Sequence, residues 1–182
     1  MLHKQNNKKK IKSRSIAFTA MFAALCCVTT FIAIPLPIGY FNLGDIFVLV
    51  SAWVLGPLLG AIAAGIGTAL ADILMGYVIY APATLIVKAC VAAIASLLYT
   101  VLEKSNLTHK RYIVPRIISA IAGESIMIGG YFLYEAFLIG YGTGAVASLP
   151  GNCLQALSGI IGGTLLISAL FSSKALRDIF KV

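Results

Sequence analysis

NLGDIFVLVSAWVLGPLLGAIAAGIGTALADILMGYVIYAPATLIVK, residues 42–88, is the stretch on which the reading of this chain turns. Asn42 and Asp45 precede an apolar run to Leu55. Gly56-Pro57 interrupts it, a glycine-rich segment then leads to Asp72, and Tyr80-Ala81-Pro82 opens another apolar run that contains Lys88. Two acids and a lysine embedded in such sequence are costly to place, and ionisable groups within a membrane segment mark function by default.

The whole chain shares this character. Of 182 residues, 60% are hydrophobic and only 11% charged, and the mean hydropathy is +0.97. The composition is that of a polytopic membrane protein rather than a globular one. A chain of this length is expected to form one helical bundle. No Gly-x-x-x-x-Gly-Lys-Ser/Thr loop occurs, so nucleotide energy would have to come from another polypeptide. The net charge of +8 reflects basic residues beside the spans and orients them by the positive-inside rule, with no nucleic-acid partner expected. Cys26, Cys27, Cys90 and Cys153 lie in apolar runs without ligand spacing and read as small buried hydrophobes. His3 and His109 fall in polar segments, so no metal and no cofactor is expected.

Residues 1–13, with five lysines, form a basic tail expected in the cytoplasm. Residues 14–182 form the membrane domain. Ser15–Ile34 reads as the first span, since about 20 residues suffice to cross the bilayer core. Ala20 and Ala24, four apart, share a face on which another helix could approach closely. Pro35 and Pro37 end this span in an external loop. The run 46–55 is about 15 Å long as a helix, too short for a core of about 30 Å. Counting Gly56-Pro57 as a cytoplasmic hairpin places 13 of the 14 Lys and Arg residues inside; counting 45–75 as one crossing does not. The expected fold is therefore an all-α bundle of six transmembrane helices with a short second helix, both termini cytoplasmic. The later spans fall near 57–76, 80–102, 112–138 and 150–172.

Within this frame, Gly60, Ala64, Gly67 and Ala71 form a smooth stripe for close packing. Glu124, Tyr131 and Glu135 share one face of the fifth span, and Asn152 and Gln155 share one face of the sixth. Several residues admit two roles. Asp45 fits a helix N-cap, and Asn42 fits a cap or turn. Asp72 fits an ion pair with Lys88, and the aromatics around Tyr40, Tyr77, Tyr80, Tyr131 and Tyr134 fit an interfacial belt as well as a stacking surface. Four acids against one lysine leave charge uncompensated inside the bundle, which favours a neutral or cationic ligand over an anion.

Phe41-Asn42-Leu43-Gly44-Asp45, the Leu55-Gly56-Pro57 break, Ala71-Asp72, Tyr80-Ala81-Pro82-Ala83-Thr84 with Lys88, Gly130-Tyr131-Phe132-Leu133-Tyr134-Glu135 and Pro150-Gly151-Asn152-Cys153-Leu154-Gln155 together resemble the substrate-binding S component of energy-coupling factor (ECF) vitamin transporters, riboflavin-type group. The resemblance covers nearly all of the chain after residue 13. It implies a binding subunit without catalytic chemistry that takes a vitamin or precursor, such as riboflavin, a pyridoxine-like compound or hydroxymethylpyrimidine, from outside. It further implies docking on a transmembrane coupling subunit through Ala20 and Ala24, two ATPase subunits as partners, and a lid formed by the loop before the second span. Asn42, Asp72, Tyr80, Lys88, Glu124, Tyr131, Glu135, Asn152 and Gln155 are the expected ligand-site residues. A self-sufficient secondary transporter is the alternative, its intramembrane acids serving as proton relays, although no internal repeat is visible. An intramembrane aspartyl protease fits poorly. Asn42-Leu43-Gly44-Asp45 lacks the first glycine of a Gly-x-Gly-Asp site, and Asp72 follows in the wrong order.

Overall fold

The computed structural model describes residues 13–104 and 113–172. Most of the basic tail, both histidines, Lys110, Arg111 and the C-terminal Lys174, Arg177 and Lys181 lie outside the described residues, as do the expectations attached to them. The described elements are α1 (Ser13–Thr30), β1 (Ala33–Pro35), β2 (Tyr40–Asn42), α2 (Gly44–Leu74), α3 (Ala81–Lys104), α4 (Ile113–Leu133), a π-helical turn (Tyr134–Ile139), a 3-10 segment (Gly142–Ser148) and α5 (Leu149–Ser172). Among the described residues, five helices are long and apolar enough to cross a membrane. The protein is thus an almost wholly helical membrane bundle.

Among the described residues it departs from all-α in one place. The first helix stops at Thr30 instead of Ile34, and residues 33–42 form a β-hairpin with Ala33 opposite Asn42 and Pro35 opposite Tyr40. Pro35 and Pro37 push the residues before them into extended backbone. Gly39, at φ +69°, closes the turn, where the Leu36 amide donates to the Gly39 carbonyl. Three-residue strands are too short to show a period of two, so only the prolines signalled the change.

The Gly56-Pro57 break is real and sharp. Gly56 adopts φ 81°, ψ 179° inside α2, a region that side chains other than glycine avoid. Pro57 contributes no amide hydrogen to bridge the gap. Beyond it the chain folds back: a Cβ at Gly60 would lie 3.0 Å from the Ala52 Cα, whereas eight residues of unbroken helix span about 12 Å. Residues 44–55 and 57–74 are therefore two limbs packed side by side, with Ser51, Ala52, Ala63 and Ala64 sealed between neighbours.

The small-residue stripe does the packing that its spacing predicts. Ala64 and Ala71 are fully buried, and Gly67 lies against the Ala23 carbonyl and the Cys26 side chain of α1, where any Cβ would collide. α2 is the central element, touching α1, α3 and α5, while α4 packs on α3 and α5. Phe22, Leu49, Met127 and Ile167 fill the middle of the bundle, and the Trp53 indole donates to Ser119 Oγ at 3.1 Å. Of the cysteines only Cys26 is buried; Cys27 is half-buried, and Cys90 and Cys153 are exposed. The two exposed thiols correct the expectation of burial, because an apolar span buries one face in protein and turns the other to lipid.

Candidate ligand-binding site

The polar centre of the bundle is a chain of hydrogen bonds that runs from α3 to the β-hairpin. Lys88 Nζ on α3 lies 2.6 Å from Asp45 Oδ1, and both side chains are essentially inaccessible. Gln155 Nε2 of α5 donates to the other Asp45 oxygen at 2.6 Å. Gln155 Oε1 then accepts from the amide and side-chain nitrogens of Asn42 at 3.2 and 2.9 Å, and Asn42 Oδ1 accepts from the Gly44 amide at 2.7 Å. Every polar atom of this relay has a partner, which is the condition under which a buried ion pair is tolerated.

Two expectations are corrected here. Lys88 pairs with Asp45, not with Asp72. Asp45 does not cap α2, whose N-cap residue Leu43 makes no side-chain cap bond. The cause is the hairpin, which brings the start of α2 beside Lys88, the eighth residue of α3. Asn42 keeps its expected turn role, through Gly44.

Above this relay lies a small cavity of about 30 Å³, well below the size of a ligand-filled pocket. Six of the nine expected site residues line it: Asn42, Tyr80, Tyr131, Glu135, Asn152 and Gln155. Gly39 and Tyr40 of the hairpin and Thr84 of α3 complete the lining. The spacing Tyr80, Thr84, Lys88 is one helical face, so Thr84 was legible from its neighbours; its hydroxyl lies 2.9 Å from that of Tyr131. Tyr40, the first residue of β2, was legible only as one of the aromatics of a belt or stacking surface, and Gly39, in the hairpin turn, carried no such signal.

The three remaining residues sit elsewhere. Lys88 is spent on Asp45 below the cavity. Asp72, at the end of the second limb of α2, accepts a hydrogen bond from the Tyr40 hydroxyl and so ties that limb to the hairpin, leaving Oδ2 without a hydrogen-bond partner among the described residues. Burial, and after it the nearby Asp72, push the Tyr40 phenol well above its ordinary pKa, so it stays a neutral donor. Glu124 is seven residues below Tyr131 on α4, about 10 Å deeper. It is 1% exposed, and neither carboxyl oxygen has a hydrogen-bond partner among the described residues. Gly159 of α5 is the spacer there: a Cβ on it would meet Asp45 Cβ at 2.8 Å and Glu124 Oε1 at 3.1 Å.

Glu135 reaches the cavity because α4 ends in a π-helical turn, a widening that recurs at functional sites. Glu135 is 2% exposed, while Phe137 and Leu138 on the same turn are 77% exposed. Tyr80 donates to Glu135 Oε1 at 3.4 Å, and Oε2 has no hydrogen-bond partner among the described residues. Asn152 Nδ2, also lining the cavity, is likewise unpaired. The rim is aromatic. Tyr40, Tyr77, Tyr80 and Tyr134 form a continuous series of ring contacts with centroids 4.7, 6.4 and 6.1 Å apart, and the Tyr134 hydroxyl donates to the Ile79 carbonyl. Of these rings, Tyr40 and Tyr80 line the cavity. Among the described residues no three Asp, Glu, His or Cys side chains gather as metal ligands.

Ala20 and Ala24 are exposed on α1. They line an apolar surface groove of about 680 Å³ whose other wall is Leu59, Ile62, Ile66 and Leu70 of α2.

A membrane-embedded helical bundle that encloses a small polar cavity beneath a hairpin has the architecture of a membrane solute-binding protein. Residues 10–172 match the family model of the ECF-type riboflavin transporter S component, and the chain belongs to that family. It is therefore a substrate-binding membrane subunit of an ECF transporter, concerned with vitamin uptake and assembled with membrane-embedded partner subunits, and it is not an enzyme. A curated relative, an uncharacterized protein in a gap 3′ region of Pyrococcus woesei, is 35% identical over 142 residues, which are 77% of this chain and 89% of the relative. The solved structure of the S component of a bacterial ECF transporter superposes with a TM-score of 0.63 at 22% identity, over 87% of this chain and 96% of that one. At that identity the likeness concerns the fold.

Proposed function

We propose that the protein captures a vitamin or vitamin precursor from outside in the cavity between the hairpin and the outer ends of α3, α4 and α5. The ligand is a small, flat heteroaromatic of the riboflavin, pyridoxine or hydroxymethylpyrimidine kind. The observation that carries this reading is the pair of idle polar atoms, Glu135 Oε2 and Asn152 Nδ2, in a tyrosine-walled cavity. Buried polar atoms are normally satisfied, and a ligand would satisfy both. Tyr131, Tyr80 and Thr84 would flank the ring, with Asn42 and Gln155 as the floor. Asp72, Lys88 and Glu124 would act from behind, Lys88 by holding Asp45 and through it the floor.

In this reading the two limbs of α2 count as separate helices of a six-helix bundle, and both termini are cytoplasmic. Ala20 and Ala24 would seat a transmembrane coupling subunit in the groove they line. Two ATPase subunits would supply the energy for release inside. The test has two parts. Mass spectrometry of the small molecule freed on denaturing the purified protein should identify a vitamin of this class. Uptake in cells should require the ATPase complex, and equal accumulation against a gradient without it would indicate a secondary transporter.

A further inference from the structure

At about 30 Å³ the cavity is a water-sized space, so a heteroaromatic ring enters only if the hairpin and the relay beneath it give way. Asn42 ends the hairpin and Asp45 follows it by three residues, so withdrawal of the hairpin pulls Asp45 away from Lys88. Lys88 is 2% exposed, and Asp45 is the carboxylate that it hydrogen-bonds among the described residues. An ammonium stranded at that depth has no water to turn to, and a buried charge without a partner is strongly disfavoured. Opening therefore needs a second counter-ion inside the bundle.

Two other buried acids feel the charge of Lys88, namely Asp72 and Glu124. Asp72 is bound by Tyr40 through one oxygen. Glu124 has neither oxygen engaged among the described residues and is 1% exposed. It also neighbours the ion pair directly, since a Cβ on Gly159 would meet Asp45 Cβ at 2.8 Å and Glu124 Oε1 at 3.1 Å. The helices that carry Lys88 and Glu124 are in close contact on either side of them: a Cβ on Gly123 would lie 3.1 Å from the Val91 carbonyl, and one on Gly130 would lie 2.8 Å from the Val87 side chain. The remaining titratable groups around the pair are the Cys26 thiol of α1 and the Tyr131 phenol of α4. Two carboxyls and one ammonium make a neutral cluster only with one proton on a carboxyl. Asp45 already receives Lys88 and Gln155, which leaves that proton to Glu124.

From these observations we infer that Glu124 is the stand-by counter-ion of Lys88, a positioning residue that lets the cavity open. As the hairpin withdraws, the ammonium passes from Asp45 to Glu124 and the proton held by Glu124 passes to Asp45. The cluster keeps one ammonium, one carboxylate and one carboxylic acid throughout, so no bare charge is left in the membrane interior. The flexible four-carbon stem of lysine suits this exchange. With the relay intact the ammonium stays on Asp45, because Gln155 gives that carboxylate a second charge-assisted hydrogen bond; Lys88 reaches Glu124 only with the relay broken. The inference rests on the reading of the cavity as a ligand site and adds how that site opens.

The test measures opening without any ligand. In the full chain in nanodiscs, with the native cysteines replaced, Thr84→Cys places a thiol on the cavity wall at a position 2% exposed. Its rate of modification by a charged, water-soluble thiosulfonate reports opening, normalised to a protein that keeps only the exposed Cys153. Glu124→Gln, which cannot carry the charge, should slow modification at least about tenfold, and Glu124→Asp should keep the rate within about threefold. The melting temperature of the empty Glu124→Gln protein should be unchanged or higher. A merely structural Glu124 predicts the reverse, a looser bundle and faster modification. An unchanged or faster rate in folded Glu124→Gln overturns the inference, and so does slowing by Asp72→Asn in its place. In the reporter protein with Glu124 intact the normalised rate should fall in heavy water, because a proton changes hands; equal rates in the two solvents overturn the exchange even if Glu124→Gln does not fold. A reporter that is never modified overturns opening itself. Titration of wild type with riboflavin, pyridoxal and hydroxymethylpyrimidine judges the vitamin reading separately: failure of all three overturns that reading, while the modification rates still decide the role of Glu124.

Discussion

Replacing Lys88 by Met removes the positive end of the buried relay and keeps the length of the side chain. Asp45 would then be 0% exposed with a single remaining donor, Gln155 Nε2 at 2.6 Å. Breaking a buried ion pair from one side costs about 3–5 kcal/mol, because a charge is left without compensation. For a chain of this size, roughly 2–4 °C of melting temperature per kcal/mol translates that into a fall of about 6–20 °C. The partner change, Asp45→Asn, leaves an acceptor for Gln155 and strands the ammonium instead, at a similar cost. Combined, Asp45→Asn and Lys88→Met bury a neutral amide that still bonds Gln155. The double variant should cost less than the two single changes added together, with a coupling energy of about 2–3 kcal/mol. Thermal unfolding of the four proteins in one detergent, followed by tryptophan fluorescence, measures it. Additive effects, or a Lys88→Met protein as stable as wild type, would refute the argument that the bundle is organised on this pair.

Other consequences follow from the same geometry. Tyr40→Phe deletes the donor that ties the hairpin to Asp72 and should lower stability by about 1–3 kcal/mol, read from the melting curve of the empty protein. Gly67→Leu drives a side chain into the Ala23 carbonyl and should destabilise by about 1–3 kcal/mol or more, while the same change at the exposed Ala20 should be nearly neutral to stability. Ala20→Trp or Ala24→Trp should abolish uptake and leave ligand affinity of the isolated subunit unchanged; loss of binding would assign those alanines to internal packing. After removal of the native cysteines, a membrane-impermeant reagent applied outside should label Gly144→Cys and not Glu103→Cys, and the reverse pattern would invert the topology.

The membrane bundle was legible in the sequence because bilayer insertion depends on local quantities, namely the length and apolarity of each run. The Gly56-Pro57 break was legible for a similar reason: two adjacent residues suffice to forbid a straight helix. The face shared by Tyr131 and Glu135, and that shared by Asn152 and Gln155, also survived into the cavity, since helical periodicity is a local property. What the sequence could not supply was depth and partnership. Glu124 lies on the same face as Tyr131, yet two turns of helix put it below the cavity. Lys88 had two carboxylates within plausible reach, and only the fold-back of the hairpin brings Asp45 to it while Tyr40 claims Asp72. Those choices are made between residues 32 to 113 positions apart, by how α2, α3, α5 and the hairpin pack, and no spacing along the chain encodes them.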